Sequence, residues 1–376
     1  MTKDGIERRY KIFGRVIKLN TLDRDEGRIL HKELELYPII EAEKFDVAIN
    51  YVEQVEAGEL ISNNPGIHKL GSDSMVCQIG VAAVKFYFRD QKLYQIDFSI
   101  DQRSGLKKAT QKWKSMQFTT NYEAIGQIFH ELILVPMAFL FDDCSVVHSS
   151  GIVNSNNEVV LFGGTGGVGK TSLEMTLCLD HGYKFFNDDI AVMDIKGFCH
   201  PNFSYPKIYG YNLLGAPDLK REVFKELNQL DKLQYAFRGL KGASKVRRRV
   251  EPSTFYGQTY EHKAKVSSLV LLLRSNIDKI KVEAISSEKA ARFNSLIMAT
   301  EYNVFFDHIR WHQFNAESLN RKPFATYQSI IEKNSRNLEK GLEGLTKIYL
   351  AHIPMSISNS DFKFEMVNKL KEERII

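Results

Sequence analysis

The sequence feature that most constrains this chain is a glycine-rich stretch at residues 159–172, which reads VVLFGGTGGVGKTS. It starts as a short apolar run typical of a buried strand, and residues 173–177 after it are compatible with a helix. Between them, residues 164–171 match the pattern G-x-x-x-x-G-K-[ST], in which backbone N–H groups wrap a polyphosphate. The order of strand, glycine-rich loop and helix predicts an α/β fold that binds a nucleotide.

Two side chains of this loop have expected roles. Lys170 should reach the β- and γ-phosphate oxygens, and the Thr171 hydroxyl should bind Mg²⁺. The N-terminus of the following helix adds N–H donors and the positive end of its dipole. The expected nucleotide-binding residues are Gly164, Thr165, Gly166, Gly167, Val168, Gly169, Lys170, Thr171 and Ser172.

A pair of carboxylates follows the next predicted strand, residues 183–186. Asp188 and Asp189 stand at its end, before a further predicted strand at residues 190–194. Ligands of open α/β sheets bind at the carboxyl ends of strands, so we expect both carboxylates near the phosphates. Two adjacent carboxylates beside Mg²⁺ can divide the work, one binding the metal and one accepting a proton. The alternative is a strand-end turn without a chemical role.

Two domains are predicted. Residues 1–118 are β-rich, with a strand at 10–17 and a hairpin at 81–100, and we expect a recognition or packing module without a catalytic signature. Residues 119–376 are expected to form the nucleotide-binding domain. This domain would begin with a buried helix at 122–140, bent at Pro136, and would contain helices at 287–304 and 323–340.

A basic run, Arg247 to Arg249, has two interpretations. Such a run is most often a solvated surface. Alternatively, one of its arginines, or Arg238, clamps a phosphate, because arginine clamps are common in phosphoryl transfer.

Composition excludes several classes of protein. A net charge of +5 is too weak to indicate a nucleic-acid-binding protein. The four cysteines are scattered without a CxxC pair, which disfavours a zinc site and a disulfide framework. The N-terminus lacks the apolar segment of a signal peptide, and the longest apolar run, residues 132–141, is too short to span a bilayer. We therefore expect a cytoplasmic protein with no membrane partner.

His148 completes a resemblance to a known family. His148, the loop at 164–171, the turn containing Gly182, and Asp188 with Asp189 together resemble the HPr serine kinase/phosphorylase family. That family has a PEP-carboxykinase-like nucleotide-binding core, so the resemblance implies this core with a β-rich N-terminal module in front of it. It implies ATP and Mg²⁺ as cofactors.

The resemblance also implies roles for individual residues. Asp188 takes the position of the general base that accepts the proton of the attacking hydroxyl. His148 would lie near Asp188 and tune it. Asp189, with Thr171, would face the metal, and Lys170 would bind the phosphates of ATP.

The expected activity is a kinase that phosphorylates a hydroxyl, most simply a seryl hydroxyl of a protein or peptide. Residues 201–215 depart from the family's downstream signature, so we expect an acceptor other than HPr. Divergent relatives of this kind resemble precursor-peptide kinases of biosynthetic pathways. The alternatives are a small-molecule hydroxyl as acceptor, or a nucleotide-binding regulator without transfer activity. A homo-oligomer is possible, and a nucleic-acid-dependent ATPase is disfavoured by the modest charge.

Overall fold

The computed structural model describes residues 5–56, 58–64, 68–101 and 120–376. Over these residues the chain has a mixed α/β fold built on two large sheets. The predicted domain boundary at residues 118 and 119 lies outside the described residues, and the two-domain division stays a prediction. No helix of the described residues is both long and apolar enough to cross a bilayer.

The first sheet is formed by residues before position 101. Its strands are β1 (Gly5–Ile12), β2 (Arg15–Leu22), β3 (Val47–Tyr51), β4 (Leu60–Asn64), β5 (His68–Gly71), β6 (Ser74–Ile79), β7 (Ala82–Arg89) and β8 (Lys92–Ile100). Helix α1 (Asp25–Glu33) lies between β2 and β3 in the chain. The strand order is β1-β2-β3-β8-β7-β6-β5-β4. The pairs β2–β3 and β3–β8 are parallel and the others are antiparallel, so this sheet is mixed.

The turns of this sheet confirm one prediction and correct another. The hairpin at 81–100 is present, with Arg89 opposite Lys92 and positive φ angles of 50° and 62° at Asp90 and Gln91. Two consecutive positive φ angles are typical of a type I′ hairpin turn. The single strand predicted at 10–17 is wrong, because Phe13 and Gly14 adopt positive φ and fold this segment back as the β1–β2 hairpin.

The second sheet surrounds the phosphate loop. Its strands are β9 (Cys144–Val147), β10 (Ser149–Val153), β11 (Val159–Gly163), β12 (Lys184–Asn187), β13 (Ala191–Asp194), β14 (Phe198–His200), β17 (Ala264–Ser275), β18 (Lys281–Ala284) and β19 (Ile348–Pro354); β15 (Lys207–Tyr209) and β16 (Arg247–Arg249) form a separate ribbon. One edge of the long strand β17 pairs with β11, in parallel. Its other edge pairs first with β14 and then, in parallel, with β19. The loop therefore emerges from the centre of a largely buried sheet.

Helices pack around both sheets. They are α2 (Asn121–Phe129), α3 (Val135–Phe139), α4 (Lys170–Asp180), α5 (Pro217–Val223), α6 (Gln229–Gly239), α7 (Pro252–Tyr256), α8 (Ser287–Glu301), α9 (Asn303–Ser318), α10 (Tyr327–Leu342) and α11 (Asn359–Glu372), with short 3₁₀ turns at Gly210–Leu213 and Ala243–Lys245. The helix predicted at 122–140 is present, but a π-helical turn, His130–Leu134, separates α2 from α3. The widened turn lies just before Pro136, where a proline ring would clash with the carbonyl four residues earlier.

Helix α9 was missed by the sequence prediction, although it packs between the first sheet and α3. Its Phe305 ring lies 6.2 Å from Phe86 of the first sheet and 6.0 Å from Phe139 of α3. A second link is polar, because Arg249 of β16 pairs with Glu33 of α1. The core is thus continuous between the residues before position 101 and those after position 120.

Candidate functional site

The phosphate loop connects β11 to α4 in a conformation that requires glycine. Gly164, Gly167 and Gly169 have φ angles of 140°, 77° and 112°. A Cβ atom on Gly169 would lie 2.5 Å from the Phe362 ring, and one on Gly164 would lie 2.7 Å from the Leu272 carbonyl oxygen. At Gly164 and Gly169, the backbone conformation and the available space therefore both exclude a residue with a Cβ atom.

Lys170 folds back over this loop. Its Nζ donates to the carbonyl oxygens of Gly164 at 2.8 Å and Thr165 at 2.9 Å. Burial lowers the pKa of Lys170, and the charges of Asp189 and Asp188 oppose that shift. The ammonium group is therefore held at the loop, with carboxylates nearby, as expected from the motif.

Asp188 lies beside Thr171 and is 3% exposed. Its Oδ1 accepts hydrogen bonds from the Ser150 hydroxyl at 2.7 Å and the Thr171 hydroxyl at 3.0 Å. Two neighbouring ligands of an octahedral Mg²⁺ lie about 2.9 Å apart, given metal–oxygen bonds of about 2.1 Å. The Thr171 and Asp188 oxygens therefore fit a shared Mg²⁺ ion.

Asp189 has different partners. Its Oδ2 accepts a hydrogen bond from Lys207 Nζ at 2.7 Å, and its Oδ1 lies 3.4 Å from His148 Nε2. Burial raises the pKa of Asp189, but Lys207 and His148 together hold it well below its usual range. His148 thus lies beside Asp189 rather than Asp188, which corrects the expected placement. Lys207 also donates to Glu131 at 2.8 Å.

Glu301, at the end of α8, occupies the loop itself. Its Oε1 accepts a hydrogen bond from the Gly166 N–H at 2.7 Å and lies 3.9 Å from His148 Nδ1. A carboxylate of the chain therefore sits where successive N–H groups would meet a phosphate. The Gly166 N–H is thus directed at a negatively charged group. No sequence motif indicated Glu301, because it is remote from the loop and stands in an ordinary amphipathic helix.

These groups line a cleft of about 500 Å³. Tyr209 and Tyr211 lie along it with stacked rings, 5.3 Å between centroids. Arg247 also lines the cleft, and its guanidinium donates to the Tyr209 hydroxyl at 2.8 Å.

The other two arginines of the basic run are structural. Arg248 pairs with Glu123 at 2.6 Å and Arg249 pairs with Glu33 at 2.8 Å, all four residues being buried. The expectation of a solvated surface is therefore wrong for these two, because each is needed to neutralise a buried carboxylate.

Glu174, on α4, is a buried carboxyl that the sequence analysis also missed. It is fully inaccessible to solvent. Burial and the charge of Asp188 raise its pKa well above the usual range. Glu174 therefore differs from Asp188 and Asp189, which line the cleft.

Comparisons with known proteins give a distant structural likeness. The chain matches no protein-family model and no curated protein. Among solved structures it is similar to the HPr(Ser) kinase/phosphatase from Coxiella burnetii, at 11% identity, over 61% of this chain and 98% of that one. The TM-score of this likeness is 0.25. The chemistry of the cleft therefore rests on its own geometry.

Proposed function

We propose that this protein is an ATP- and Mg²⁺-dependent phosphotransferase that moves the γ-phosphoryl group to a hydroxyl, most simply a seryl hydroxyl of a protein or peptide. The observation that carries the proposal is the Thr171–Asp188 contact of 3.0 Å at the mouth of the phosphate loop. A loop that only holds a nucleotide needs no carboxylate at that point. A carboxylate there supports both metal binding and proton transfer.

The charges of the cleft support a divalent cation. The ammonium groups of Lys170 and Lys207 face four carboxylates, those of Glu131, Asp188, Asp189 and Glu301. Thr171 and Asp188 would hold Mg²⁺, with Asp189 adjacent. The bound metal would neutralise charge on the phosphates during transfer.

Asp188 is the proposed general base. The acceptor hydroxyl oxygen forms a bond to the γ-phosphorus while the bond from that phosphorus to the bridging oxygen breaks, and ADP leaves. The hydroxyl proton passes to the Asp188 carboxylate. Asp189 is a weak proton acceptor because Lys207 and His148 hold its pKa well below its usual range. Its proposed role is to fix Lys207 and His148 beside the phosphates.

Positive groups around the cleft would stabilise the transferring phosphoryl group. Lys170 is fixed by the loop, and Lys207 by Asp189 and Glu131. Arg247 is the proposed clamp from the basic run, since it lines the cleft. Such fixed cations act in phosphoryl transfer because they need no rearrangement when charge develops.

An apolar part of the cleft wall supports a peptide acceptor. It includes the side chains of Ile79 of β6, Leu132, and Val304 of α9. An apolar wall next to a charged centre can hold the side chains that flank an acceptor serine. A small polyol would use little of this wall.

Transfer from γ-labelled ATP tests the proposal. We expect label on seryl peptides with the wild-type protein and Mg²⁺. Asp188→Asn should keep nucleotide binding and lose transfer by about 100-fold or more. Asp189→Asn is the matched variant, and its smaller loss, about tenfold, reflects a positioning role.

The same assay separates the alternatives. Label on small polyols but not on peptides would indicate the small-molecule kinase. Tight ATP binding with no label on any acceptor would indicate the regulator. Equal transfer by Asp188→Asn and wild type would overturn the base assignment and make Asp189 the next candidate.

A further inference from the structure

A group of buried histidine and cysteine side chains lies far along the chain from the phosphate loop motif. His68 of β5 and Cys77 of β6 are directly opposite each other in the antiparallel register, so their side chains share one face of the first sheet. His308 of α9 packs against that face, with 5.8 Å between its ring centroid and that of His68. Residues 240 positions apart in sequence therefore meet at one point.

The polar atoms of this group lack partners. His68 is fully inaccessible to solvent, and neither of its ring nitrogens has a hydrogen-bond partner. His308 Nδ1 is likewise buried and unpartnered. Buried polar groups in folded proteins are nearly always satisfied by protein, water or an ion. Three unsatisfied nitrogens beside a thiol therefore indicate a ligand that binds nitrogen and sulfur.

The neutral state of the two histidines suits metal binding. Burial, together with His312 and His308, lowers the pKa of His68 to about 3, so its imidazole is neutral and carries a lone pair. His308 interacts with the backbone of Gln78, and since its Nδ1 is the unpartnered nitrogen, this bond falls to Nε2. A metal-binding histidine ordinarily donates its other N–H to a carbonyl or carboxylate in this way.

We propose that His68, Cys77 and His308 bind a zinc ion. One sulfur and two imidazole nitrogens form a donor set that favours Zn²⁺ over Mg²⁺ or Ca²⁺. Their ligand atoms all lie within 4.8 Å of one another. Tetrahedral zinc, with bonds of about 2.0–2.3 Å, holds its ligands about 3.5 Å apart, so binding draws these side chains inward by about 1 Å. Water completes the tetrahedron.

His312, one turn after His308 on α9, is near this site but outside the ligand set. Its Nε2 accepts a hydrogen bond from the Phe324 N–H at 2.9 Å, so the neutral ring carries its proton on Nδ1. An N–H nitrogen cannot bind the metal. His312 therefore provides a matched control: a buried histidine of the same helix whose loss leaves all three ligands in place.

The scattered cysteines had disfavoured a zinc site, because sequence spacing detects sites in which two ligands are close in the chain. Here one cysteine combines with histidines from two other elements. The ion would tie β5 and β6 to α9, which begins two residues after Glu301 in the cleft. Zinc would thus fix the helix that carries part of the cleft wall.

Metal content of the purified full-length chain tests the proposal. After removal of weakly bound metal, we expect one zinc per chain by mass spectrometry and a rise in the thermal midpoint on adding zinc. Co²⁺ in place of zinc should give a thiolate-to-cobalt charge-transfer band in the near ultraviolet. Cys77→Ser should abolish that band and weaken zinc binding on the order of 100-fold or more, beyond the loss usual for an outer-shell residue.

His68→Asn and His308→Asn should weaken binding to the same extent, whereas His312→Asn should retain it within about tenfold. Circular dichroism of each variant shows whether it is folded. A folded wild-type protein that takes up neither zinc nor cobalt would overturn the proposal and leave a cluster of packed neutral histidines. Zinc binding that Cys77→Ser leaves unchanged would place the metal elsewhere and overturn it equally.

Discussion

Two clusters of charged side chains among the described residues differ in charge balance and in solvent access. The cleft cluster, formed by Glu131, Lys170, Asp188, Asp189, Lys207 and Glu301, has two ammonium groups against four carboxylates. The arginine cluster, formed by Glu33, Glu123, Arg248 and Arg249, has two charges of each sign. Asp189 and Glu301 keep side-chain exposures of 21% and 32%, whereas Arg249 has 0%.

This difference indicates that one cluster serves ligand binding and the other serves the stability of the fold. In a balanced and inaccessible cluster each charge has a partner, and losing one partner lowers the free energy of unfolding because the other charge is left buried and unpaired. A cluster with excess negative charge and an opening to solvent leaves room for a cation and its ligands. We therefore expect substitutions in the cleft cluster to change chemistry, and substitutions in the arginine cluster to change the free energy of unfolding.

The largest effect is expected for Lys170→Ala. Removing the ammonium group held over the phosphate loop should lower phosphoryl transfer about 1000-fold. The free energy of unfolding should change by no more than about 1 kcal/mol, because the group faces the cleft. Labelled transfer and thermal unfolding measure the two quantities. The exposed Lys196 gives the control, since Lys196→Ala should change neither. A large stability loss in Lys170→Ala without a transfer defect would contradict the comparison.

The basic run allows a test with neighbouring residues. Arg249→Met leaves Glu33 buried without its partner, and we expect a loss of about 3–5 kcal/mol in the free energy of unfolding. Transfer by the molecules that remain folded should be unchanged. Arg247→Met should do the opposite, lowering transfer about 10- to 100-fold with little change in stability.

Chemical denaturation and single-turnover transfer distinguish these outcomes. Adding Glu33→Leu to Arg249→Met should restore most of the lost stability, because an apolar pair can replace a buried ion pair. If Arg247→Met instead unfolds the protein and Arg249→Met abolishes transfer, the two clusters have been assigned to the wrong roles.

The basic run also shows what sequence can and cannot predict here. The glycine-rich loop was predicted because its glycines, lysine and threonine are adjacent in sequence, and Gly164, Gly167 and Gly169 adopt positive φ angles that glycine allows. Arg247 and Arg249 are two positions apart, yet one lines the cleft and the other pairs with a residue 216 positions away. Spacing within the run carries no information on such distant partners.

The elements of the fold differ in the same way: those specified by neighbouring residues were predicted, and those that depend on distant contacts were not. The hairpin at 81–100 was predicted because its turn and alternation are local. Helix α9 was not, because its apolar pattern is interrupted by the buried residues His308 and His312. Glu301 was missed for a related reason: it contacts Gly166 across 135 positions of sequence.

A third prediction concerns Glu174, the buried carboxyl group of α4. Its pKa is raised in the folded protein, so the folded state binds one more proton than the unfolded state once pH exceeds the unfolded pKa near 4.5. Its contribution to stability is therefore full below pH 4.5 and is lost as pH rises toward the folded pKa. The slope approaches about 1.4 kcal/mol per pH unit.

Glu174→Gln should remove this slope, because the amide matches the protonated acid in shape and charge. Urea denaturation between pH 5 and pH 8 should show the variant gaining stability over the wild type as pH rises. Glu174→Asp serves as the control, because it keeps an ionisable carboxyl group at this position. Parallel curves for wild type and Glu174→Gln would show that Glu174 is ionised and belongs with the cleft charges.

The smallest effect is expected for Glu301, the carboxylate that occupies the phosphate loop. A nucleotide must displace Glu301 Oε1 from the Gly166 N–H before its phosphates can use that donor. Glu301→Gln removes the negative charge but keeps an oxygen that can accept the same hydrogen bond, so we expect ATP to bind about tenfold tighter. Glu301→Ala should bind about as tightly, and calorimetry at fixed Mg²⁺ measures both. The gain should shrink at high salt, because part of it is a charge effect at a partly exposed site.

Weaker ATP binding in both variants would mean that Glu301 helps to hold the metal or nucleotide. The cleft cluster would then use all four of its carboxylates for binding, and none of them would act as a competitor for the phosphates.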